Sequence, residues 1–149
     1  MRLRDDISEL FATWNAALQT GDPDVVVALY APDAVLLPTF SDRVRRTPAQ
    51  IRDYFVPFLE RRPSASIDAA SCRVYGDVAI HSGIYSFRFA AGPVRSAQAR
   101  FTFVYRCVGD GWRIVEHHSS AMPEQAATAR PGERRATAPD QAWNSMTKL

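Results

Sequence analysis

Residues 97–120 read AQARFTFVYRCVGDGWRIVEHHSS and carry the clearest structural signal of the chain. In this stretch Phe101, Phe103 and Tyr105 alternate with polar or charged residues. Because successive side chains of a strand point to opposite faces, the alternation predicts a long strand with one apolar and one polar face. A Gly-Asp-Gly turn at 109–111 then joins this strand to another over 112–120, and the two are expected to be antiparallel.

The same two-residue period begins near residue 66 and predicts two further strands. They cover 67–75 and 78–89, and the Gly76-Asp77 pair between them indicates a turn. Four strands in succession, each joined to the next by a short connection, are typical of an antiparallel sheet. The length of the strands at 78–89 and 97–108 favours a strongly curved sheet.

The first third of the chain has a helical period instead. An apolar stripe predicts a first helix that Gly21 ends; its members are Ile7, Leu10, Phe11, Trp14 and Leu18. The pair Asp22-Pro23 predicts a second helix, with aspartate as N-cap and proline in the first helical position. This helix is expected to run to Pro32, with Tyr30 on its apolar face.

A short strand at 34–37 and a third helix complete the predicted elements. The third helix is expected to begin after Thr47 as N-cap, with Pro48 in the first position and Gln50 closing a capping box. Pro57 lies inside the helical pattern and should kink the helix or end it near Val56.

Helices at one end of the chain and strands at the other indicate the α+β fold class. Three helices can cover only one face of the sheet, so we expect a cone with a pocket between the third helix and the concave face. The uncovered face must be polar or paired with another chain, which predicts a homodimer. The domain is expected to span 1–122. Residues 123–149, rich in Ala, Pro, Arg and Thr, are expected to form a disordered tail in which Trp143 is either a stray aromatic residue or a docking residue.

Composition narrows the classes of function. The 149 residues carry a formal net charge of +2, which gives no electrostatic case for nucleic acid as a partner. The two cysteines, Cys72 and Cys107, lie far apart and argue against a disulfide framework or a thiolate zinc site. No apolar run approaches the ~20 residues that cross a bilayer, and the N-terminus does not resemble a signal peptide. These features predict a cytoplasmic protein without a membrane partner.

The three histidines raise the question of a metal site. His117 and His118 are neighbours on a predicted strand, so only one of them can share a site with His81. A site of two histidines with Glu116 is conceivable, but the spacing is generic, and we expect neither a metal nor another cofactor.

Residues 116–120 form the densest polar run in a predicted strand. One face presents Glu116, His118 and Ser120, the other His117 and Ser119. The alternation alone does not tell which face lines the pocket, and an exposed polar strand end is the simpler interpretation. A histidine beside a hydroxyl is suited to proton transfer, whereas a GxSxG elbow, a glycine-rich phosphate loop and a glycosidase-type carboxylate pair have no support in the sequence.

Several motifs together resemble the SgcJ/EcaC group, which is related to the calcium/calmodulin-dependent kinase association domain within the nuclear transport factor 2-like superfamily. The resemblance covers about residues 5–124 and is carried by five stretches: WNAALQTGDPDVVVALYAPDAVLLPT, IRDYF, VAIHSGIYSF, ARFTFVYR and GWRIVEHHSSAMPE. It implies the cone-shaped fold, as a dimer or a larger assembly.

Two branches of that group imply different functions. Iota-class carbonic anhydrases, some of them metal-free lyases, have an HHHSSxMP signature, and residues 116–123 match it except that Glu116 replaces the first histidine. By this resemblance Thr39, Tyr54, His118 and Ser120 form a catalytic bicarbonate site, and we add Phe103 as a substrate contact.

Other members of the group are accessory proteins of enediyne polyketide biosynthesis. Aromatic residues would give such a protein a wall for a hydrophobic metabolite: Phe55, Phe58, Phe101 and Phe103. A third alternative is an oligomerisation hub without chemistry.

Overall fold

The protein was analysed as a computed structural model, which describes residues 2–124 and their side chains from residue 6 onward. Three helices precede most of the sheet: α1 (Arg2–Gln19), α2 (Pro23–Val27) and α3 (Pro48–Glu60). The predicted tail beyond Glu124, with Trp143, lies outside the described residues, and the boundary at 122 stays a prediction. No helix in the described part is long and apolar enough to cross a membrane.

Local capping signals fix where α2 and α3 begin. The Asp22 carboxylate accepts the Asp24 backbone N–H, and the Thr47 hydroxyl accepts the Gln50 N–H, as the sequence predicted. The predicted capping box is only half formed, because Gln50 Oε1 accepts the backbone N–H of Arg46 at 2.7 Å.

Of the two effects predicted for Pro57, an end of the helix near Val56 is wrong, since α3 continues to Glu60, and a kink stays a prediction. A proline inside a helix costs about 3 kcal/mol. Continuing the helix buries Phe58 and Leu59, each worth about 1.5–3 kcal/mol. The burial therefore compensates for the proline, and the helix ends one turn later.

Five strands form one mixed sheet: β1 (Tyr30–Leu37), β2 (Pro63–Tyr75), β3 (Val78–Phe89), β4 (Ser96–Val108) and β5 (Gly111–Ala121). The spatial order is β1-β5-β4-β3-β2, with β1 parallel to β5 and the other pairs antiparallel. The predicted α+β class is thereby confirmed. Two boundaries differ from the prediction: α2 ends at Val27, so that Tyr30 opens β1 instead of lying on a helix, and β2 begins at Pro63.

The core lies between the helices and one face of the sheet. Trp14 from α1, Phe55 from α3 and Phe103 from β4 are each at most 1% exposed. On the opposite face of the sheet Arg100 and His118 are exposed, and Ile84, which pairs with Arg100, is half-buried. The pocket described below opens on the covered side, between α3 and β5.

Candidate functional site

A β-bulge in β5 decides which polar side chains face the helices. Tyr105 pairs with Ile114, but the preceding residue, Val104, pairs with Glu116, so that β5 carries one extra residue at this point. Strict alternation from buried Ile114 would turn residues 116, 118 and 120 inward. The extra residue reverses this order and turns His117 inward instead.

The expectation that His118 and Ser120 line the pocket is therefore corrected. His117 and Ser119 are 3% and 6% exposed and line the pocket, whereas His118 is exposed and Ser120 half-buried on the other face. Phe103 is fully buried, and its ring stacks on that of His117 at a centroid distance of 4.0 Å. It supports the histidine from behind and is not among the pocket-lining residues.

The pocket itself is small and mostly aromatic. It brings together predicted Thr39 and Tyr54 with His117 and Ser119; the other lining residues are Trp14, Leu36, Pro38, Phe40, Phe55, Phe58, Tyr85 and Phe87. The centre of a water-sized molecule has about 10 Å³ in which to move, and about 10–15 Å³ by that measure holds one water. The enclosed part of the pocket therefore has room for about one water, and a larger ligand needs the aromatic walls to part.

A continuous chain of hydrogen bonds runs beneath the pocket. Trp14 Nε1 donates to the Tyr30 hydroxyl at 3.2 Å, and that hydroxyl lies 2.9 Å from His117 Nδ1. On the other side of the ring, His117 Nε2 lies 3.2 Å from the Tyr85 hydroxyl.

The chain continues from Tyr85 to the pocket. The Tyr85 hydroxyl donates to Ser119 Oγ at 2.6 Å, and Ser119 Oγ is hydrogen-bonded to Thr39 Oγ1. Six polar side chains thus form one chain, which runs from the buried indole of Trp14 through His117 to Thr39 at the pocket.

Counting protons gives this chain a direction. Tyr30 accepts from Trp14, so its single proton is free to go to His117 Nδ1. Tyr85 donates its only proton to Ser119, so it accepts from His117 Nε2–H. Both conditions are met by one neutral tautomer, with the proton on Nε2.

At the pocket end, either hydroxyl of the Ser119–Thr39 pair can donate. In the arrangement in which Ser119 donates, the Thr39 O–H is left to point at a ligand.

Burial keeps His117 neutral. The pKa of His117 is lowered to about 3, chiefly by burial and further by neighbouring His118. Burial likewise raises the pKa of Tyr85, whose hydroxyl stays protonated despite its bond with Ser119. The chain is therefore a row of neutral donors and acceptors at ordinary pH, and His117 orients its neighbours instead of holding a charge.

Tyr54 supplies the second hydroxyl of the pocket. Its pKa is raised, first by burial and then by Tyr85, although a hydrogen bond with the Phe40 backbone and the charge of Arg45 act in the opposite direction. The Arg45 guanidinium lies 5.7 Å from the centre of the Tyr54 ring and donates to Ser41 and to the Gln50 carbonyl. The Tyr54 hydroxyl is thus a neutral donor held in place by the segment before α3.

Five members of the chain were not predicted as site residues: Trp14, Tyr30, Tyr85, His117 and Ser119, the last two having been considered only as the other face of residues 116–120. Trp14 was assigned to the core stripe and Tyr30 to a helix face. The sequence did contain a hint of this network, because buried tyrosine and tryptophan side chains need hydrogen-bond partners for their polar atoms. That rule indicates a polar network in the core without telling which residues form it.

The structure keeps the histidines from forming a metal site. His81 and His117 both pair with Phe103 from opposite sides, so the phenylalanine separates them. Among residues 2–124, no group of three or more His, Cys, Asp or Glu side chains could hold a metal ion.

Helices packed on one face of a mixed sheet, with a pocket between them, form an α+β fold of the NTF2-like type. An NTF2-like superfamily protein from Salmonella enterica serovar Typhimurium is similar, with a TM-score of 0.72 and 19% identity over 87% of this chain and 98% of that one. A proposed NTF2-like dehydratase from Streptomyces avermitilis has a TM-score of 0.71 and 16% identity over 79% and 94% of the two chains. At these identities the likeness concerns the fold alone.

The family is shown by a nearer match. The family model of the calcium/calmodulin dependent protein kinase II association domain matches residues 3–123, and the chain belongs to this family. A proposed association domain of the same kind from Xanthomonas campestris is 47% identical, with a TM-score of 0.76 over 79% of this chain and 86% of that one. No protein of curated function matches the chain.

Proposed function

We propose that the pocket binds bicarbonate and interconverts it with CO2 without a metal, as a lyase of the iota carbonic anhydrase type within the SgcJ/EcaC group. One observation carries the proposal: the Thr39 and Tyr54 hydroxyls line the same small cavity, Tyr54 being kept neutral by burial, and the cavity has to widen only slightly to admit so small an anion. Bicarbonate and CO2 are small, and their oxygens accept hydrogen bonds.

The two hydroxyls act on charge that develops during the reaction. As water oxygen attacks the carbon of CO2, a C–O bond forms and one C=O electron pair moves onto oxygen. Thr39 and Tyr54 donate to that oxygen from a largely apolar surrounding, where such bonds are strong. Removing one donor of this kind costs about 2.7–4 kcal/mol in the barrier.

The proton of the attacking water goes to solvent or to a buffer base at the pocket mouth. Bulk water and an ordinary histidine differ in pKa by about 9 units, or roughly 12 kcal/mol, so no histidine can fully deprotonate the water before it attacks. His117 is a still weaker base, since its pKa is about 3 and both its nitrogens are engaged. Proton loss therefore accompanies C–O bond formation, and the enzyme is slower than one with zinc-bound hydroxide.

The assembly we propose is a homodimer in the cytoplasm. Its motivation is the face of the sheet opposite the helices, where Ile84 and Val104 are only half-buried. Membership of an association-domain family is consistent with assembly. Light scattering tests this part on its own, and a monomer at micromolar concentration would contradict it.

A second candidate is an accessory protein that binds a hydrophobic biosynthetic intermediate. The aromatic pocket wall favours it, with Phe40, Phe55, Phe58 and Phe87 around the polar residues. It requires these rings to move apart, because the present cavity is too small. An oligomerisation hub without a ligand is the third candidate, and the family favours it.

Stopped-flow CO2 hydration with a chelator present tests the first candidate. We expect a rate above the buffer background that rises with the concentration of buffer base and is unaffected by the chelator. A background rate would reject the activity. Thermal shifts then separate the alternatives: stabilisation by polyketide-like compounds and not by bicarbonate supports the accessory role, whereas no shift with either supports the hub.

A further inference from the structure

A second concave surface lies at the far end of the sheet and is basic. It is a groove of about 440 Å³ between the end of α3 and the β3–β4 connection. We call it the arginine groove; its lining residues are Arg62, Ser64, Arg88, Phe89, Ala90, Arg95 and Ser96. Three of the seven carry a guanidinium, and none is acidic.

The backbone fixes where these arginines stand. The Arg62 carbonyl accepts the Ala90 N–H at 3.2 Å, and the Arg95 carbonyl accepts the Phe89 N–H at 3.0 Å. Arg88 pairs with Ser64 on one side and Ser96 on the other, and side chains at paired positions share a face. Three segments distant in sequence thus present cations and hydroxyls to one groove.

Within residues 2–124, the three arginines have no ion pair that would neutralise them. The two salt bridges in this part of the chain join other residues, Arg52 to Asp24 and Arg106 to Asp77. Asp68, on the same face as Arg88, accepts hydrogen bonds from Ser86 and Gln98 instead. Within the part of the chain that the structure describes, the positive charge of the groove is therefore uncompensated.

Arg62 is also held in an unfavourable backbone conformation. Its φ of 52° is left-handed, and Arg62 follows the C-cap of α3, a position where glycine is strongly preferred. Among the described residues it is the one non-glycine residue with positive φ. An arginine in this conformation makes the fold less stable than a glycine would, which indicates that the arginine side chain has a function.

We propose that the arginine groove binds a phosphate or diphosphate group carried by a small soluble molecule. Planar guanidinium groups match phosphate oxygens with paired hydrogen bonds, and the volume suits a small organic ligand. The arginine groove is separate from the aromatic pocket, so the test of phosphate binding is independent of the proposed CO2 chemistry.

Isothermal titration of the full chain with pyrophosphate tests the proposal. At 150 mM salt we expect saturable binding that weakens at least tenfold in Arg88→Gln and in Arg62→Gly. The matched control is Arg73→Gln, which removes an exposed arginine of β2 outside the groove and should leave the Kd unchanged. No binding, or equal weakening in all three variants, would overturn the proposal.

Two further measurements, of thermal stability and of vesicle binding, test the proposal. Arg62→Gly should raise the melting temperature while it weakens binding, because glycine relieves the left-handed backbone; a lowered melting temperature would contradict the argument from strain. Co-sedimentation with phosphatidylcholine vesicles containing phosphatidic acid distinguishes a soluble ligand from a lipid headgroup. Binding to these vesicles without binding of pyrophosphate would overturn the assignment.

Discussion

The Tyr30 hydroxyl lies 2.9 Å from Nδ1 of His117, and 87 positions of the sequence separate the two residues. This hydrogen bond joins the first strand of the sheet to the last, inside the core. Because the Tyr85 hydroxyl donates to Ser119, it accepts from His117 Nε2–H, and His117 Nδ1 is left to accept the Tyr30 proton.

The first prediction concerns this hydrogen bond. Tyr30→Phe leaves His117 Nδ1 and Trp14 Nε1–H buried without a partner, and should lower the free energy of unfolding by about 1–3 kcal/mol. Urea denaturation at pH 7 measures it. Tyr75→Phe is the control, since Tyr75 is 59% exposed and its loss should stay within about 0.5 kcal/mol. Equal effects of the two substitutions would show that the buried bond contributes nothing.

The second prediction is a loss of stability in acid. The pKa of His117 is about 3 in the folded chain and close to 6.5 when unfolded. As the pH falls below 6.5, His117 binds a proton in the unfolded state but not in the folded state. Stability is therefore complete above that pH and falls as the pH approaches 3, by about 3 kcal/mol between pH 7 and pH 4.5.

Two neighbouring substitutions make this measurement specific. His117→Gln removes the titrating group and should flatten the dependence, whereas His118→Gln, on the exposed face, should keep it. Burial also lowers the pKa of His81, which adds a loss of the same sign that both variants retain. Identical pH curves for the two variants would contradict the assignment to His117.

The third prediction uses two adjacent serines on opposite faces of β5. Ser119→Ala interrupts the chain between Tyr85 and Thr39, so the Thr39 hydroxyl loses its orientation and CO2 hydration should fall about tenfold. Ser120→Ala should leave the rate unchanged. A larger effect at Ser120 would restore the strand face that the sequence resemblance suggested.

The fourth prediction tests the local signal that begins α3. Thr47→Ala removes the N-cap and should destabilise the protein by about 1 kcal/mol, measured by urea denaturation. Thr13→Ala is the control, because Thr13 is an exposed residue inside α1 whose hydroxyl donates to the Glu9 carbonyl of the same helix. Replacing it with a good helix former should be neutral or slightly stabilising, and a loss there as large as at Thr47 would argue against the cap.

The fold was predictable from the sequence because its signals are local. Asp22-Pro23 and Thr47-Pro48 each contain both parts of a helix start within two residues. The strand at 78–89 has the predicted bounds, since its period and flanking turns are both read directly from the chain. The end of the helix predicted near Val56 failed because the compensating contacts of Phe58 come from elements distant in sequence.

The site was predictable only in part, for a geometric reason. Thr39 and Tyr54, which the resemblance suggested, do line the pocket, and their role there stays a prediction. The resemblance also suggested His118 and Ser120, which lie on the other face, and the alternation could not correct this because the extra residue in β5 leaves no mark in the sequence. The partners of a buried hydroxyl depend on that register, so the chain through Tyr30 and Tyr85 could not be read in advance.

The most direct test of the proposed function is stopped-flow CO2 hydration, with a chelator present, on the wild-type protein, Thr39→Val and Tyr54→Phe. Each substitution keeps the shape of the side chain and removes one hydroxyl from the pocket, and Tyr75→Phe serves as the control. We expect each pocket variant to lose about 10²–10³ in kcat while the control matches wild type. Wild-type rates in both pocket variants would show that these hydroxyls do not meet the substrate.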